Sequence, residues 1–363
     1  MINVVLCGYG TVGKGVKALL DSLDQKEVHL AKVLDIPAKK EELGSLLVTD
    51  YKDIINDPSI NVVIECLGGD ELPHKVIAES LAAGKNVISS NKETISLHLQ
   101  EFLSLAKKSG ASLQFEASCG GGIPLLNPIM NIARFDEIES IRGILNGTTN
   151  FILTKMQKDG KTFSDSLSEA QRLGFAEKDP TADLEGLDMV RKSNILAALA
   201  YGYEIHNEDI PHFGISHINE EILNSLAKTG KTVKFVSDLV KTKDGVSIIV
   251  IPELLDKDEP LANVTFETNG VEVMAKHNGP LSFIGKGAGR EPTASAIIQD
   301  LERLLHLEAP HLTRKLVPVT VKTELKGRFY VFDEKNKMSE LVDPSLEELK
   351  RYCFVSYLKE KRN

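Results

Sequence analysis

Cysteine is scarce in this chain, and the four present (Cys7, Cys66, Cys119, Cys353) show neither paired nor metal-ligand spacing. That excludes a disulfide framework and a zinc-ribbon type of site, and the residues read as cytosolic thiols. No apolar run is long enough to span a bilayer. Met1 leads straight into a strand-like run rather than a signal peptide, so the expected location is cytoplasmic. Positive charge is not in excess: the net charge of −9 argues against nucleic acid or an anionic membrane as the main partner and leaves small molecules. Low-complexity segments and internal repeats are also lacking. What remains is an ordinary soluble composition, 42% hydrophobic and 26% charged, over 363 residues, which is enough chain for two domains with sizeable cores.

The apolar run Ile2–Cys7 reads as a buried parallel strand. Gly8-Tyr9-Gly10-Thr11-Val12-Gly13 follows at once, and Val12 to Leu23 has helical character. This is the dinucleotide fingerprint in its required strand–turn–helix context. Gly8 permits the tight turn, Gly10 a close approach of pyrophosphate, and Gly13 close packing of helix on strand. The helix start at Thr11, Val12 and Gly13 offers N–H groups and a positive dipole end to phosphate. A second strand, Val28–Leu34, ends at Asp35, where an acid usually receives the ribose 2′-hydroxyl of NAD. Lys39 and Lys40 lie just beyond and suit the 2′-phosphate of NADP, so the cofactor reads as NAD(P)H with the choice open.

Strands and helices then alternate through 61–67, 73–83, 86–89, 94–108 and 111–115, the pattern of a doubly wound parallel sheet. Ligands in such sheets bind at the carboxyl ends of the strands, where Gly68-Gly69 and Ser89-Ser90-Asn91-Lys92 fall. Lys92, in the loop, is thereby a candidate for the cofactor or the substrate. Glu116-Ala-Ser-Cys119-Gly-Gly121-Gly-Ile123-Pro124 admits three readings: an oxygen-lined site for a hard cation, a flexible crossover, or a Cys119 nucleophile for an aldehyde. After Pro128 the pattern changes. Glu137–Leu145 reads as a strand, Asn146 as the cap of a helix from about Phe151, and Ser164–Leu173 as a helix. From Thr232 the chain is strand-rich, which gives an α+β substrate and dimerisation domain with an open sheet. Gly285 to Gly289 open a helix at 294–305 that is expected to return to the first domain, with Gly289 a further candidate for phosphate. The expected division is 1–128 for the doubly wound (Rossmann) domain, 129–285 for the second, 286–310 for the returning helix and 311–363 for a tail. Two strands (328–332, 352–357) and a helix (345–350) are expected in that tail.

The chemistry is placed in Gly174-Phe-Ala-Glu177-Lys-Asp-Pro180-Thr-Ala-Asp183-Leu-Glu-Gly186-Leu-Asp188-Met-Val-Arg-Lys192. Asp183 reads as the N-cap of a helix whose apolar positions recur from Leu184 to Tyr201. Asp188 and Lys192, four apart, share one face. Pro180 keeps Glu177 on a loop. An ordinary surface i,i+4 ion pair is the plain alternative. The apolar run 195–200 points instead to burial.

Taken together, six motifs in this order resemble homoserine dehydrogenase over most of residues 1–305: the glycine fingerprint, Ser90-Asn-Lys92, Glu116 with Gly-Gly-Ile-Pro124, Asn146-Gly-Thr-Thr-Asn150, the 174–192 stretch and Gly285-Lys-Gly-Ala-Gly289. The resemblance implies reduction of L-aspartate 4-semialdehyde to L-homoserine with NAD(P)H, on the route to threonine, methionine and isoleucine. It implies Lys192 as proton donor, Glu177 and Asp188 as substrate holders, and Lys92 where cofactor and substrate meet. A structural sodium ion is implied on Glu116 and the carbonyls of Cys119, Gly121 and Ile123, and a homodimer is expected. The chain has Leu34-Asp35 where many members carry an arginine, and Cys119 where a small aliphatic residue is expected. Some fifty residues follow position 310, too few for a complete ACT regulatory domain. Two rivals are an aldehyde dehydrogenase acting through Cys119, which lacks a convincing histidine base, and a non-catalytic dinucleotide sensor, which has no use for Lys92, Asp188 and Lys192.

Overall fold

The computed structural model describes residues 1–22, 27–306, 315–323 and 325–359. Leu23, at the end of the expected first helix, and positions 307–314, between the expected returning helix and the tail, fall outside the described residues. The chain divides into two compact units, Met1–Asn127 with Ala288–Leu316, and Pro128–Gly287 with Val317–Asn363. Among the described residues no helix is long and apolar enough to cross a membrane.

The first unit alternates strand and helix. Its elements are β1 (Ile2–Cys7), α1 (Thr11–Leu20), β2 (Val28–Leu34), α2 (Lys40–Leu43), β3 (Leu47–Val48), α3 (Lys52–Ile55), β4 (Val62–Glu65), α4 (Glu71–Ala82), β5 (Asn86–Ser89), α5 (Lys92–Ser109) and β6 (Leu113–Gln114). The six strands form one sheet in the order β3-β2-β1-β4-β5-β6, parallel throughout. This is a Rossmann-type sheet, and its switch point lies between β1 and β4. Val4 to Cys7 are fully buried, as a central parallel strand covered on both faces requires. Helix α5 begins at Lys92, two residues ahead of expectation, because Asn91 caps it: its Oδ1 accepts from the N–H groups of Glu93 and Thr94. Lys92 therefore opens a helix rather than lying in a loop.

Helix α6 (Leu126–Phe135) carries the chain into the second unit, which contains β7 (Ile138–Ile144), α7 (Gly147–Asp159), α8 (Phe163–Leu173), α9 (Thr181–Leu184), α10 (Leu187–Tyr201), β8 (Tyr203–Glu204), α11 (Glu220–Ala227), β9 (Thr232–Thr242), β10 (Gly245–Leu255), β11 (Thr268–Ala275) and β12 (Gly279–Lys286). Helix α12 (Arg290–His306) belongs to the first unit. There Ala294, Ile297 and Leu301 share a core with Val16 and Leu20 of α1. A methyl at Gly15 would come within 3.0 Å of the Ala294 Cβ, so the glycine sets how closely the two helices approach.

The remaining elements are β13 (Val317–Pro318), β14 (Arg328–Phe332), β15 (Met338–Val342), α13 (Leu346–Leu349) and β16 (Phe354–Leu358). They are not an appendage. The second unit's sheet has eight strands in the order β12-β11-β7-β9-β10-β16-β14-β15, so three C-terminal strands complete it. Phe329, Val331, Val355 and Tyr357 pack with Ile249 and Ile251 of β10 in one buried cluster. Strand β15 was not anticipated: its residues are exposed or half-exposed, and the alternation that marks a half-buried strand is missing.

Candidate active site

The glycine loop separates its three glycines by physical need. Gly8 has φ +95°, and a Cβ there would lie 2.6 Å from the Cys66 carbonyl oxygen. A Cβ on Gly13 would lie 2.0 Å from the Gly8 carbonyl oxygen. Both are required by the chain's own atoms. Gly10 has an ordinary φ of −79°, and nothing lies within 4 Å of a Cβ built there. Gly10, exposed with Thr11, faces open space at the start of α1, whose first turn has no side-chain cap. No neighbouring atom requires glycine there, and orphan N–H groups at a helix start suit an anion.

At the end of β2, Asp35 Oδ2 accepts the Tyr9 N–H at 2.5 Å and Oδ1 accepts that of Ile36 at 2.7 Å. The expected ribose acid is thus tied to the glycine loop. The two lysines beyond it are engaged locally, Lys39 with Glu42 at 3.7 Å and Lys40 with the Gly44 carbonyl at 2.9 Å. Gly289 has φ +123° just ahead of α12 and is exposed.

A buried network that motif reading missed joins the neighbouring strand ends. Glu65, fully buried at the end of β4, accepts the Leu67 N–H (2.6 Å) and the Ser89 hydroxyl (2.5 Å). Ser89 Oγ accepts the Asn91 N–H, and Asn91 Nδ2 donates to the Gly69 carbonyl at 2.8 Å. Burial pushes the Glu65 carboxyl up to about 7. One carboxyl thereby holds both the Gly68-Gly69 turn and the Asn91-Lys92 helix start. An acid at the end of a hydrophobic strand was the available signal.

The Glu116 loop differs from the cation reading. Glu116 Oε1 accepts the N–H groups of Leu125 (2.5 Å) and Leu126 (2.7 Å), and Oε2 accepts Asn127 N–H (2.8 Å) and Nδ2 (2.5 Å). A carboxylate has about four lone-pair positions, and these four donors fill them. Glu116 serves as the cap of α6, and as placed it does not fit a sodium ion. Its own N–H donates to Asp300 of α12 at 2.8 Å, and burial, with Glu116 close by, pushes the Asp300 carboxyl up to about 7. The glycines have packing work: a Cβ on Gly122 would lie 2.7 Å from Pro292, and Gly120 and Gly121 have positive φ. Ile123 donates to the Gly120 carbonyl. Cys119 is fully buried, so its thiol is not presented as a nucleophile.

In the second unit Asp188 and Lys192 are 2% and 7% exposed, which removes the surface-pair alternative. Lys192 Nζ donates to Asp188 Oδ2 at 2.8 Å and to the Leu145 carbonyl at 2.6 Å. Asn146 Nδ2 donates to Asp188 Oδ2 (2.9 Å) and Asp183 Oδ1 (2.7 Å), while its Oδ1 accepts the Thr149 N–H. Asn146 therefore caps α7 from Gly147, not from Phe151, and spends its other end on the two acids. Asp183 is not the N-cap of the long helix. The run from Leu184 is broken by Gly186 at φ +89°, and α10 starts at Leu187. A Cβ on Gly186 would lie 2.9 Å from the Phe235 ring, so the break is built in. Glu177 is exposed on the loop after α8, where its carbonyl accepts from Gln171 and the nearby Phe175 carbonyl accepts from Thr148. Leu145 as a partner of the lysine and Asn146 as a partner of the aspartate were missed, since neither a carbonyl's direction nor a distant amide contact leaves a mark in a sequence.

This arrangement holds an ammonium in a dry site between a carboxylate and a carbonyl. It suits proton donation to a developing alkoxide. Comparison with known proteins agrees. The family model described as homoserine dehydrogenase matches residues 124–301, and that of the homoserine dehydrogenase NAD-binding domain matches residues 8–116. The chain is 39% identical to the homoserine dehydrogenase of Bacillus subtilis over 83% of its own length and 72% of the relative's. For that of Corynebacterium glutamicum the figures are 38%, 83% and 71%. The crystal structure of a homoserine dehydrogenase from Thiobacillus denitrificans superposes with a TM-score of 0.83 at 32% identity, covering 92% of this chain and 83% of that one. A hyperthermophilic archaeal homoserine dehydrogenase in complex with NADPH superposes with a TM-score of 0.73 at 25% identity, covering 85% and 98%. With both of its units matched, this chain belongs to the homoserine dehydrogenases, a family of nicotinamide-dependent oxidoreductases.

Proposed function

We propose that this chain reduces L-aspartate 4-semialdehyde to L-homoserine in the cytoplasm, for threonine, methionine and isoleucine synthesis, with Lys192 as the proton donor. The observation that carries this is the buried ion pair of Lys192 and Asp188, anchored by Leu145 and Asn146. Gly10 to Gly13 would hold the nicotinamide dinucleotide, whose chemistry would be hydride donation to the aldehyde carbon. Lys192 has three N–H bonds; two go to Leu145 and Asp188, and the third is assigned to the aldehyde oxygen. As charge grows on that oxygen the ammonium stabilises it and gives up a proton. Asp188 holds the lysine in place, and with Glu177 it attracts the substrate's ammonium. Lys92, at the first turn of α5 on the edge that carries the glycine loop, is assigned to hold cofactor and substrate. Asp35, with Lys39 and Lys40 otherwise engaged, supports NAD over NADP. Gly289 is assigned a supporting role beside the phosphates. A sodium ion would require Glu116 to give up a backbone donor, so no step is assigned to it. A homodimer is supported by the open edge strand β12, where Ile284 is 54% exposed.

The test mixes the protein with NADH or NADPH and L-aspartate 4-semialdehyde and follows the nicotinamide absorbance. Oxidation that depends on the semialdehyde, with homoserine as product, is expected. No oxidation with either cofactor, or equal rates with a simple aldehyde lacking the amino and carboxylate groups, would overturn the assignment.

A further inference from the structure

The paired helices α4 and α5 of the first unit carry a side-chain cluster for which the proposed reaction has no use. Asp70 stands at the N-cap position of α4, and His74 lies one turn on, its N–H donating to the Asp70 carbonyl. His98 and Glu101 lie one turn apart on α5. The two pairs face each other. His74 Nε2 is 2.9 Å from Glu101 Oε2, His98 Nε2 is 3.2 Å from Asp70 Oδ2, and His98 Nδ1 is 4.0 Å from Glu101 Oε2. The two imidazole centroids are 4.2 Å apart, and both rings lie against the fully buried Phe102, at 5.6 and 5.8 Å.

Two separate His–carboxylate surface pairs would need none of this convergence, and such pairs contribute little. Here three potential ligands, His74, His98 and Glu101, converge from two packed helices over an apolar floor that holds the rings in place, with Asp70 against His98. One oxygen points to a missing partner: Asp70 Oδ1 is buried and accepts no hydrogen bond from any described residue. We propose that Asp70, His74, His98 and Glu101 form a binding site for a divalent transition-metal ion of the Zn²⁺ class. Imidazole nitrogens select zinc, cobalt or nickel over calcium and magnesium, which prefer oxygen alone. The donor atoms of His74, His98 and Glu101 lie within 4.8 Å of one another. Ligands at roughly 2.0–2.2 Å from a tetrahedral zinc sit about 3.3 Å apart, so small side-chain rotations complete the site. Its effect would be a clamp. Asn91 and Thr94 of the α5 start already donate to the carbonyl of Gly69, which precedes Asp70. An ion joining α4 to α5 adds a second tie beside the strand-end loops, and a ligand that binds only the folded chain raises its stability.

The test uses the full chain, stripped with a chelator and titrated with Co²⁺ alone. One equivalent is expected to bind with the strong visible bands of a four-coordinate nitrogen–oxygen site, to be displaced by Zn²⁺, and to raise the melting temperature. His74→Ala and His98→Ala should each weaken binding by on the order of a hundredfold or more, since even outer-shell partners are worth 10–100-fold. Both positions are half-exposed, and unchanged circular dichroism and NAD(P)H binding in the variants would show that the fold is kept; Glu101→Gln serves as the third variant. Absence of a one-equivalent site, equal affinity in both histidine variants, or an intense sulfur-to-cobalt band marking a cysteine site would overturn the proposal.

Discussion

Replacing Lys192 by Met keeps most of the unbranched side chain and removes its charge. Two separate losses should follow. Asp188, 2% exposed, and the Leu145 carbonyl lose their ammonium, and breaking a buried pair by removing one member costs about 3–5 kcal/mol. Asn146 still donates to Asp188, which favours the low end of that range. The reaction loses its proton donor and the positive charge at the alkoxide, so kcat should fall by on the order of a hundred- to ten-thousand-fold. The loss belongs in kcat rather than in cofactor affinity, because the interaction strengthens only as the alkoxide forms. The two losses can be separated with the double variant Asp188→Asn, Lys192→Met. Removing the orphaned carboxylate should recover much of the stability in urea unfolding and none of the turnover. Lys192→Arg should also be poor, since guanidinium scarcely releases a proton. Steady-state kinetics with NADH titrated separately is the assay. A kcat of Lys192→Met within a few-fold of the parent would refute the reasoning, as would a double variant that regains activity along with stability.

Four further outcomes follow from the same geometry. Nothing lies within 4 Å of a Cβ at Gly10, so Gly10→Val should fold and yet bind NAD(P)H far more weakly in a fluorescence titration; unchanged affinity would remove the glycine loop from the cofactor site. NADH should be preferred over NADPH, and Asp35→Ala should cut that preference in kcat/KM by at least about tenfold, a hydrogen bond to a charged group being worth about 1.5–3 kcal/mol. Asp300 has its carboxyl raised to about 7 from an ordinary 3.8, so its contribution is full below pH 3.8 and is lost as pH rises through 7. Against Asp300→Asn, the parent should therefore lose stability across that window, by up to about 4 kcal/mol, in urea unfolding run at several pH values. Cys119→Ala should retain most activity, because its sulfur is buried in a packed turn; loss of several orders of magnitude would revive the thiol reading.

What could be read from the sequence was whatever local chemistry repeats itself. Strand β5 matched its expected range to the residue, because a short β-branched run between Gly84 and a polar stretch has one reading. The parallel alternation of the first unit followed from period and punctuation. Asp188 and Lys192 were paired from their spacing alone, and the apolar run after them pointed rightly to burial. The errors arise where one side chain serves two neighbours. Asn146 was taken for a simple cap, yet its amide nitrogen binds two acids 37 and 42 residues away. Asp183 had the right residue type for a cap and is used as one of those acids. The stretch after Glu116 leaves three readings open in the sequence, with a sodium ligand implied by the family resemblance; in the structure the N–H groups that Glu116 holds come from the start of α6. Strands β14 and β16 were anticipated, but β16 pairs with β10, roughly a hundred residues away, and nothing local specifies such a register.

The glycine loop shows how structure sharpens a motif into an argument about a ligand. A fingerprint of three glycines is explained equally well by folding and by binding while only the sequence is in hand. Once the backbone is placed, two of the three are used up: Gly8 by its positive φ and the Cys66 carbonyl, Gly13 by the Gly8 carbonyl. Neither can then count as evidence for a cofactor. Gly10 has ordinary dihedrals and open space around it, so a side chain there would cost the fold little. The packing around it therefore gives no reason for glycine at that position, and the proposed cofactor, lying against the start of α1, would give one. The same subtraction applies to the acids. Glu116 is accounted for by the donors around it. In the Asp188–Lys192 pair, burial of two opposite charges is a weak source of stability, often no better than apolar packing of the same volume. A charge pair that the fold does not need, kept dry and anchored by an asparagine and a carbonyl, is where the proposed reaction has its proton donor.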